Sequence, residues 1–342
     1  MESIISVKNL KKSFKANQVL KGVSFDVPKG EIFALLGSNG AGKTTAIRIL
    51  ATLSKPDGGS AGICGYDVVS QAKKVRECIS LTGQFAAADE ALTGRENIKL
   101  IASLNRLPDV EKRTEELLTI FRLENAANRL ASTYSGGMRR RLDIAMSLTF
   151  NPEVIFLDEP TTGLDPQNRI VMWGMIKELA AGGTTIFLTT QHLEEAEYLA
   201  DHIAILHEGV IAAEGTSDEL KTRLPQGGIQ LDFNNEADAK RARDLLKDYH
   251  VSQSRGEGNG EFVENSIDVS TDGSPTSFAG VLTKLSGGNI PIARFTQMQP
   301  SLEDVFLTLI GERSEDCDIE KRSLIENEKT KIKCDNRFMD HV

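Results

Sequence analysis

Apolar residues in the first part of the chain either alternate with polar ones or form short unbroken blocks, and both patterns belong to strands rather than helices. Ile4, Ile5 and Val7 begin the series, and residues 19–27 alternate until the turn-forming Pro28-Lys29-Gly30. The block IFALL at 32–36 is continuously apolar, which predicts a strand buried on both faces, and 45–50 takes helical spacing. The GGSAGICG stretch at 58–65 reads as a turn region, and 79–82 reads as another strand. From Glu90 to Met146 apolar residues fall three and four apart, as in 97–104 and 110–123, so a helical subdomain is expected inside an α/β core.

Strand patterns at 154–157, 184–189 and 203–206 then alternate with helical ones at 168–179 and 193–200. That rhythm predicts a mostly parallel, covered sheet. Near Arg223 the pattern restarts: Ile229, Leu231 and Phe233 alternate, 237–249 is helical, 266–270 extended, 278–285 helical and 290–295 extended, with an amphipathic helix at 302–310. The expected organisation is a large α/β domain over 1–222 with its helical part at about 85–150, then a small α+β domain over 223–311. Residues 312–342 mix both charge signs with few apolar residues, the composition of a charged tail without a packed fold.

Composition narrows the function classes. Of the 342 residues, 40% are hydrophobic and 26% charged, and no apolar run reaches the roughly 18 residues of a membrane-spanning helix, so this polypeptide is not expected to form a pore itself. The N-terminal MESIISVKNLKK lacks the pattern of a secretory signal, which predicts a cytosolic location. Cys64, Cys78, Cys317 and Cys334 have neither metal-site nor disulfide-framework spacing and read as reduced thiols. A net charge of −9 argues against a non-specific nucleic-acid surface, and the basic run Arg139, Arg140 and Arg141 reads as a solvated or partner-facing patch.

The chemistry is carried by GSNGAGKTT. Gly37, Ser38, Asn39, Gly40, Ala41, Gly42, Lys43 and Thr44 form a G-x-x-x-x-G-K-T loop set between a buried strand and a helix that opens at Thr45. Its glycines let backbone N–H groups approach phosphate oxygens, and the helix adds its positive end. Lys43 supplies a point charge for the β and γ phosphates, and the Thr44 hydroxyl is a ligand candidate for Mg²⁺. The apolar run 154–157 ends in Asp158, a carboxylate for the same ion, and Glu159 follows as the group to polarise a water. ATP and Mg²⁺ are the cofactors this set calls for.

Together with YSGGMRRRLDIA, TGLDP and TTQH, these segments resemble the ATP-binding cassette (ABC) family of transporter ATPases over roughly the first two thirds of the chain. The resemblance implies an α/β P-loop NTPase fold with an inserted helical subdomain, followed here by the small C-terminal α+β domain. It implies that Phe14 stacks on adenine, although its apolar neighbours also fit a core position, and that Gln84 reaches Mg²⁺ or the attacking water. Ser135, Gly136 and Gly137 correspond to the signature that holds the γ-phosphate of ATP on the other protomer. Tyr134 and Met138 replace the commoner Leu and Gln around it. His192 matches the switch histidine and Asp165 the D-loop aspartate that sets geometry across the dimer. One cassette supplies half of each site, so a homodimer through the nucleotide sites is implied. A second LSGG at 285–288 closes a helix instead of opening one, and reads as punctuation.

The wording YSGGMRRRLDIA, GQFAAADEALTGRENI and SLEDVFLTLIG resembles the daunorubicin/doxorubicin-resistance branch of ABC exporter ATPases. Its members work with a separate integral-membrane permease, which implies a peripheral place on the cytoplasmic face of the membrane and no nucleic-acid partner. The helical insert is then the surface offered to the permease, and the C-terminal domain an accessory or regulatory element. The rival class is a non-transport ABC ATPase, regulatory or associated with ribosomes or nucleic acid. Its translation-factor members carry two cassettes per chain and its repair members long coiled coils or zinc motifs, features this sequence lacks.

Overall fold

The computed structural model describes residues 3–83, 87–223, 227–255, 262–298 and 300–309. It divides into two compact units, Met1–Ser217 and Asp218–Val342. The first unit begins with a long hairpin, β1 (Ser3–Phe14) and β2 (Asn17–Pro28), followed by β3 (Ile32–Leu36), α1 (Lys43–Leu50), β4 (Gly58–Ile63), β5 (Tyr66–Asp67), α2 (Ala72–Cys78) and β6 (Ile79–Thr82). The helical stretch supplies α3 (Gly94–Leu104), α4 (Val110–Ile120) and α5 (Gly136–Ser147). Then β7 (Val154–Asp158), α6 (Pro166–Ala181), β8 (Thr185–Thr190), α7 (Leu193–Leu199), β9 (His202–His207) and β10 (Val210–Gly215) complete the unit, and α8 (Ser217–Lys221) sits at the division.

Two sheets form the unit. One is antiparallel, in the order β2-β1-β4-β5, and the other has the order β10-β9-β3-β8-β7-β6 with only its β10 edge antiparallel. The turn region expected at 58–65 is therefore corrected. Residues 58–63 are β4, because Ile63, Gly62 and Ala61 pair in register with Ile5, Ser6 and Val7 of β1, and only Cys64 and Gly65 turn the chain into β5. Ladder bonds and burial of Ala61 and Ile63 override the weak strand preference of glycine.

The sheets are joined by aromatic packing. Phe25 of β2 lies 5.2 Å from Phe33 of β3, Phe33 lies 5.3 Å from Phe187 of β8, and Phe187 lies 5.5 Å from Phe156 of β7. Every residue of β3, β7 and β8 is buried, which is why β3 reads as an unbroken apolar block, β7 as one up to Asp158, and the centre of β8 is apolar between threonines. Register decides where the site falls. Leu36 pairs with Thr190 and Asp158 with Thr189, so three strands end side by side and discharge their following loops onto one edge of the sheet.

Helix starts in the insert follow capping chemistry. Thr93 and Glu96 form a reciprocal capping box that opens α3, and the Asp109 side chain accepts from the Lys112 N–H to open α4. Asn97 is buried and donates to the carbonyls of Asp89 and Thr93 while accepting from the Asp89 N–H, which ties the preceding loop to α3.

The second unit is built on a four-stranded antiparallel sheet with helices. It comprises β11 (Gly228–Phe233), α9 (Glu236–Leu245), β12 (His250–Arg255), β13 (Phe262–Ser270), α10 (Pro275–Gly287) and β14 (Ile292–Met298), in the sheet order β12-β13-β11-β14. Ile229, Leu231, Phe233, Ile267 and Val269 form its core with Ala239, Ala242, Val281 and Leu285 from the helices. Residues 302–309 are helical. Gly288 caps the end of α10, so the second LSGG does terminate a helix.

Candidate nucleotide site

The phosphate loop leaves β3 and enters α1 with its backbone bent as only glycine tolerates. Gly40 and Gly42 have φ of 82° and 112°, and Gly42, the residue before α1, would place a Cβ 2.8 Å from Leu20 Cδ2. No side chain caps α1, and Ser38, Asn39 and Gly40 are exposed, so the loop offers backbone N–H groups to a phosphate. This is a cradle that side chains would fill. It fits the phosphates of a nucleotide.

Lys43 is buried, and its ammonium donates to the carbonyls of Gly37 at 2.9 Å and Ser38 at 3.1 Å while lying 3.5 Å from Glu159 Oε1. Burial pushes the lysine pKa down, opposed by the carboxylates of Glu159 and Asp158. Thr44 donates to Asp158 Oδ1 at 3.3 Å, and the fully buried Thr189 hydroxyl donates to the same oxygen at 2.5 Å. A threonine hydroxyl and a carboxylate converging from two elements are a hard oxygen donor pair, the chemistry that suits Mg²⁺. Glu159 is held in the left-handed region at φ 48°, its N–H donating to the carbonyl and hydroxyl of Thr189 at 3.1 and 3.2 Å. His192 stands just ahead of α7, half-buried, with its N–H on the Thr190 hydroxyl at 2.9 Å. Gln84 lies outside the described residues.

Lys43, Thr44, Asp158, Glu159 and His192 therefore gather where β3, β7 and β8 end. The ABC transporter family profile matches residues 20–162. The daunorubicin/doxorubicin resistance ATP-binding protein DrrA of Streptomyces peucetius is 40% identical over 324 residues, covering 91% of this chain and 94% of its own length. The chain belongs to the ABC transporter family of ATP-binding proteins. It is accordingly an ABC-type ATPase. A Nod factor export ATP-binding protein I from Ralstonia nicotianae is 36% identical over 92% of this chain and 95% of its own. Among solved structures, an ATP-binding subunit of an ABC transporter matches with TM-score 0.59 at 33% identity, covering 65% of this chain and 93% of that one. A dimeric ATP-binding cassette in a post-hydrolysis state, bound to ADP and Pi, matches at 0.57 and 27%, covering 62% and 98%.

In this ABC ATPase the YSGG segment opens α5. Ser135 is its N-cap, the side chain accepting from the Met138 N–H at 3.3 Å, and both Ser135 and Gly136 are exposed. Tyr134 is buried instead, its hydroxyl donating to the Ala126 carbonyl at 2.7 Å, so that position anchors the loop from within. Gly137 abuts α6: a Cβ there would sit 2.6 Å from Asn168. Asn168 in turn donates through its N–H and its side-chain amide to Asp165, the α6 N-cap, at 3.0 and 2.6 Å. Those two donors hold the Asp165 carboxyl below its usual range. Gly137 and Asp165 are thus joined through Asn168, which carried no sequence signal of its own. Phe14, at the hairpin end, is 52% exposed with the Lys12 ammonium 5.5 Å from its ring, so the core reading of this residue is excluded.

Two further residues were not legible as parts of the site. Thr189 looks like any strand threonine in the sequence. Arg140 belongs to a basic run expected on the surface, and the structure corrects that: only 8% exposed, it donates to the carbonyls of Pro160, Gly83 and Asp158 at 2.9, 2.5 and 3.0 Å. It is buried because those carbonyls lie at loop entries, where a guanidinium with five donors supplies bonds that a sheet ladder does not.

Proposed function

We propose that two copies of this ATPase close head to tail around two ATP molecules with Mg²⁺, and that hydrolysis drives export through a separate membrane permease. The observation that carries the chemistry is the convergence of Lys43, Thr44, Asp158 and Glu159 at one sheet edge, with Glu159 3.5 Å from the lysine. Lys43, Thr44, Thr45 and the N–H groups from Gly37 to Gly42 bind the phosphates, while Thr44, Asp158 and Gln84 hold the metal ion. The ion, when bound, neutralises charge that develops on the phosphoryl oxygens. Glu159 accepts a proton from the attacking water, and His192 keeps that water in line. Phe14 stacks on the base.

Ser135, Gly136 and Gly137 present a hydroxyl and helix-terminal N–H groups, and Asp165 shapes the contact between copies. These residues open a helix of the inserted subdomain, whereas the phosphate loop opens a helix of the sheet core, so a second copy is what brings an α5 onto Lys43. The relatives in drug resistance and Nod factor export support an exporter of a drug-like, antibiotic or lipid-like molecule. Among the described residues no helix is long and apolar enough to cross a membrane, which fits a peripheral subunit on the cytoplasmic face that needs a permease. The region following residue 222 serves as an accessory or regulatory domain, since none of the nucleotide-site segments lies in it.

The deciding experiment is steady-state hydrolysis by purified wild type and Glu159→Gln. The variant should bind ATP and turn over roughly 100-fold more slowly or worse, as expected for a lost general base. Equal turnover would remove Glu159 from that role. Export is tested separately: the protein should reach the membrane fraction only when co-produced with its permease, and recovery in the soluble fraction alone would count against it.

A further inference from the structure

Helix α5 does more than present its N-terminus. Arg140 lies one turn into it, and its guanidinium takes the carbonyls of Asp158 and Pro160, one on each side of Glu159. It also takes the carbonyl of Gly83, one residue before Gln84. Three residues along the same helix, the buried Asp143 accepts the N–H groups of Ala87 and Ala88 at 2.9 and 3.0 Å. Glu159 itself carries a backbone conformation that a non-glycine residue seldom adopts, φ 48°. Such a conformation persists only where its surroundings hold it, and here Thr189 holds the amide while Arg140 holds both flanking carbonyls.

We propose that Arg140 is a positioning residue for hydrolysis, fixing Glu159 against the signature helix so that an ATP seated on Ser135 to Gly137 aligns the carboxylate of the same chain. This inference rests on the head-to-tail reading above. In that arrangement the signature grips one ATP and Glu159 serves the other, so Arg140 is the physical link between the two sites of the dimer.

The electrostatics agree with a permanent fixture. Burial lowers the arginine pKa while Asp143, Asp158 and Glu195 oppose the shift, and the guanidinium stays charged. Glu195 is fully buried on α7 and accepts from Thr161 Oγ1 at 2.7 Å and Trp173 Nε1 at 3.1 Å. The segment after Glu159 is thereby held from α7 as well as from α5. A lysine could keep the charge of Arg140 but not the planar fork that meets three carbonyls at once.

The test is a double-mutant comparison of Arg140→Lys with Glu159→Gln. Arg140→Lys should lower kcat by about 10- to 100-fold, the cost of slight misplacement of a catalytic group, with KM for ATP within about two-fold of wild type. In the Glu159→Gln background the same substitution should change residual turnover by less than about two-fold, because the residue through which Arg140 acts is gone. Additive losses, or a kcat for Arg140→Lys within about two-fold of wild type, would overturn the proposal. A second readout does not depend on turnover: amide exchange over residues 159–164 should speed up in Arg140→Lys while residues 186–190 of β8 keep their protection. Unchanged exchange at 159–164 would also overturn it. If wild type and Glu159→Gln hydrolyse ATP equally, the underlying reading of the site fails instead, and the two failures are distinct.

Discussion

Replacing Thr189 by Val isolates one buried hydroxyl at almost constant volume. Thr189 is completely buried, donates to Asp158 Oδ1 at 2.5 Å and accepts the Glu159 N–H at 3.2 Å. Valine fills the same space, so no cavity forms, but a buried carboxylate loses its shorter donor while Thr44 remains at 3.3 Å. A hydrogen bond to a charged group, left unmade in the interior, costs about 1.5–3 kcal/mol. For a cooperative unit of 217 residues that corresponds to a melting temperature lowered by roughly 3–12 °C. The Glu159 amide retains the Thr189 carbonyl at 3.1 Å, so the backbone loosens rather than breaks. Thr189→Ser is the control: it keeps the hydroxyl and loses one methyl, at about 1 kcal/mol. Calorimetry with parallel turnover measurements separates them, Thr189→Val losing both stability and kcat and Thr189→Ser keeping most of each. A Thr189→Val protein that melts within about 1 °C of wild type would refute the argument that this bond stabilises the site.

Lys43→Ala should weaken nucleotide binding measured by titration, since the point charge for the phosphates is removed; unchanged affinity would contradict the phosphate-loop assignment. The Asp272 carboxyl is held at about 2 by the hydroxyls of Ser277 and Ser274 and the Ser274 N–H. Its folded pKa lies below the unfolded value of about 3.9, so its stabilising effect is present above that value and is lost as pH falls towards 2. Carboxyl NMR titration should therefore give Asp272 a midpoint well below 3.8, moving up in Ser274→Ala, and an ordinary midpoint in wild type would contradict the bonding seen here. A chain ending at residue 222 should still bind ATP, and a folded truncation product without binding would show that the second unit contributes to the site.

Much of the site was legible because burial and chemistry coincide in the sequence. The strands β3 and β7 are apolar along almost their whole length, β8 has an apolar centre, and the three lead into GSNGAGKT, DEP and TTQH, so strand and functional loop announce each other. What was not legible depends on contacts across the chain. Residues 58–63 are rich in glycine and look like a turn until β1 pairs with them. Arg140 looks exposed because its neighbours Arg139 and Arg141 are also basic, and nothing local says that its carbonyl partners lie up to 57 residues away. Asn168 matters through a steric relation with Gly137, and Thr189 through register with Asp158, neither of which periodicity encodes.

The central claim is that two half-sites meet only in a dimer, and sedimentation of Glu159→Gln protein with ATP and Mg²⁺ tests it most directly. That variant keeps every phosphate-binding group, so it should sediment as a dimer with ATP and as a monomer with ADP. Adding Ser135→Arg places a bulky cation in the signature and should return the protein to monomer while single-chain nucleotide binding persists. A Glu159→Gln protein that stays monomeric at saturating ATP, or a Ser135→Arg variant that still dimerises, would contradict the head-to-tail arrangement.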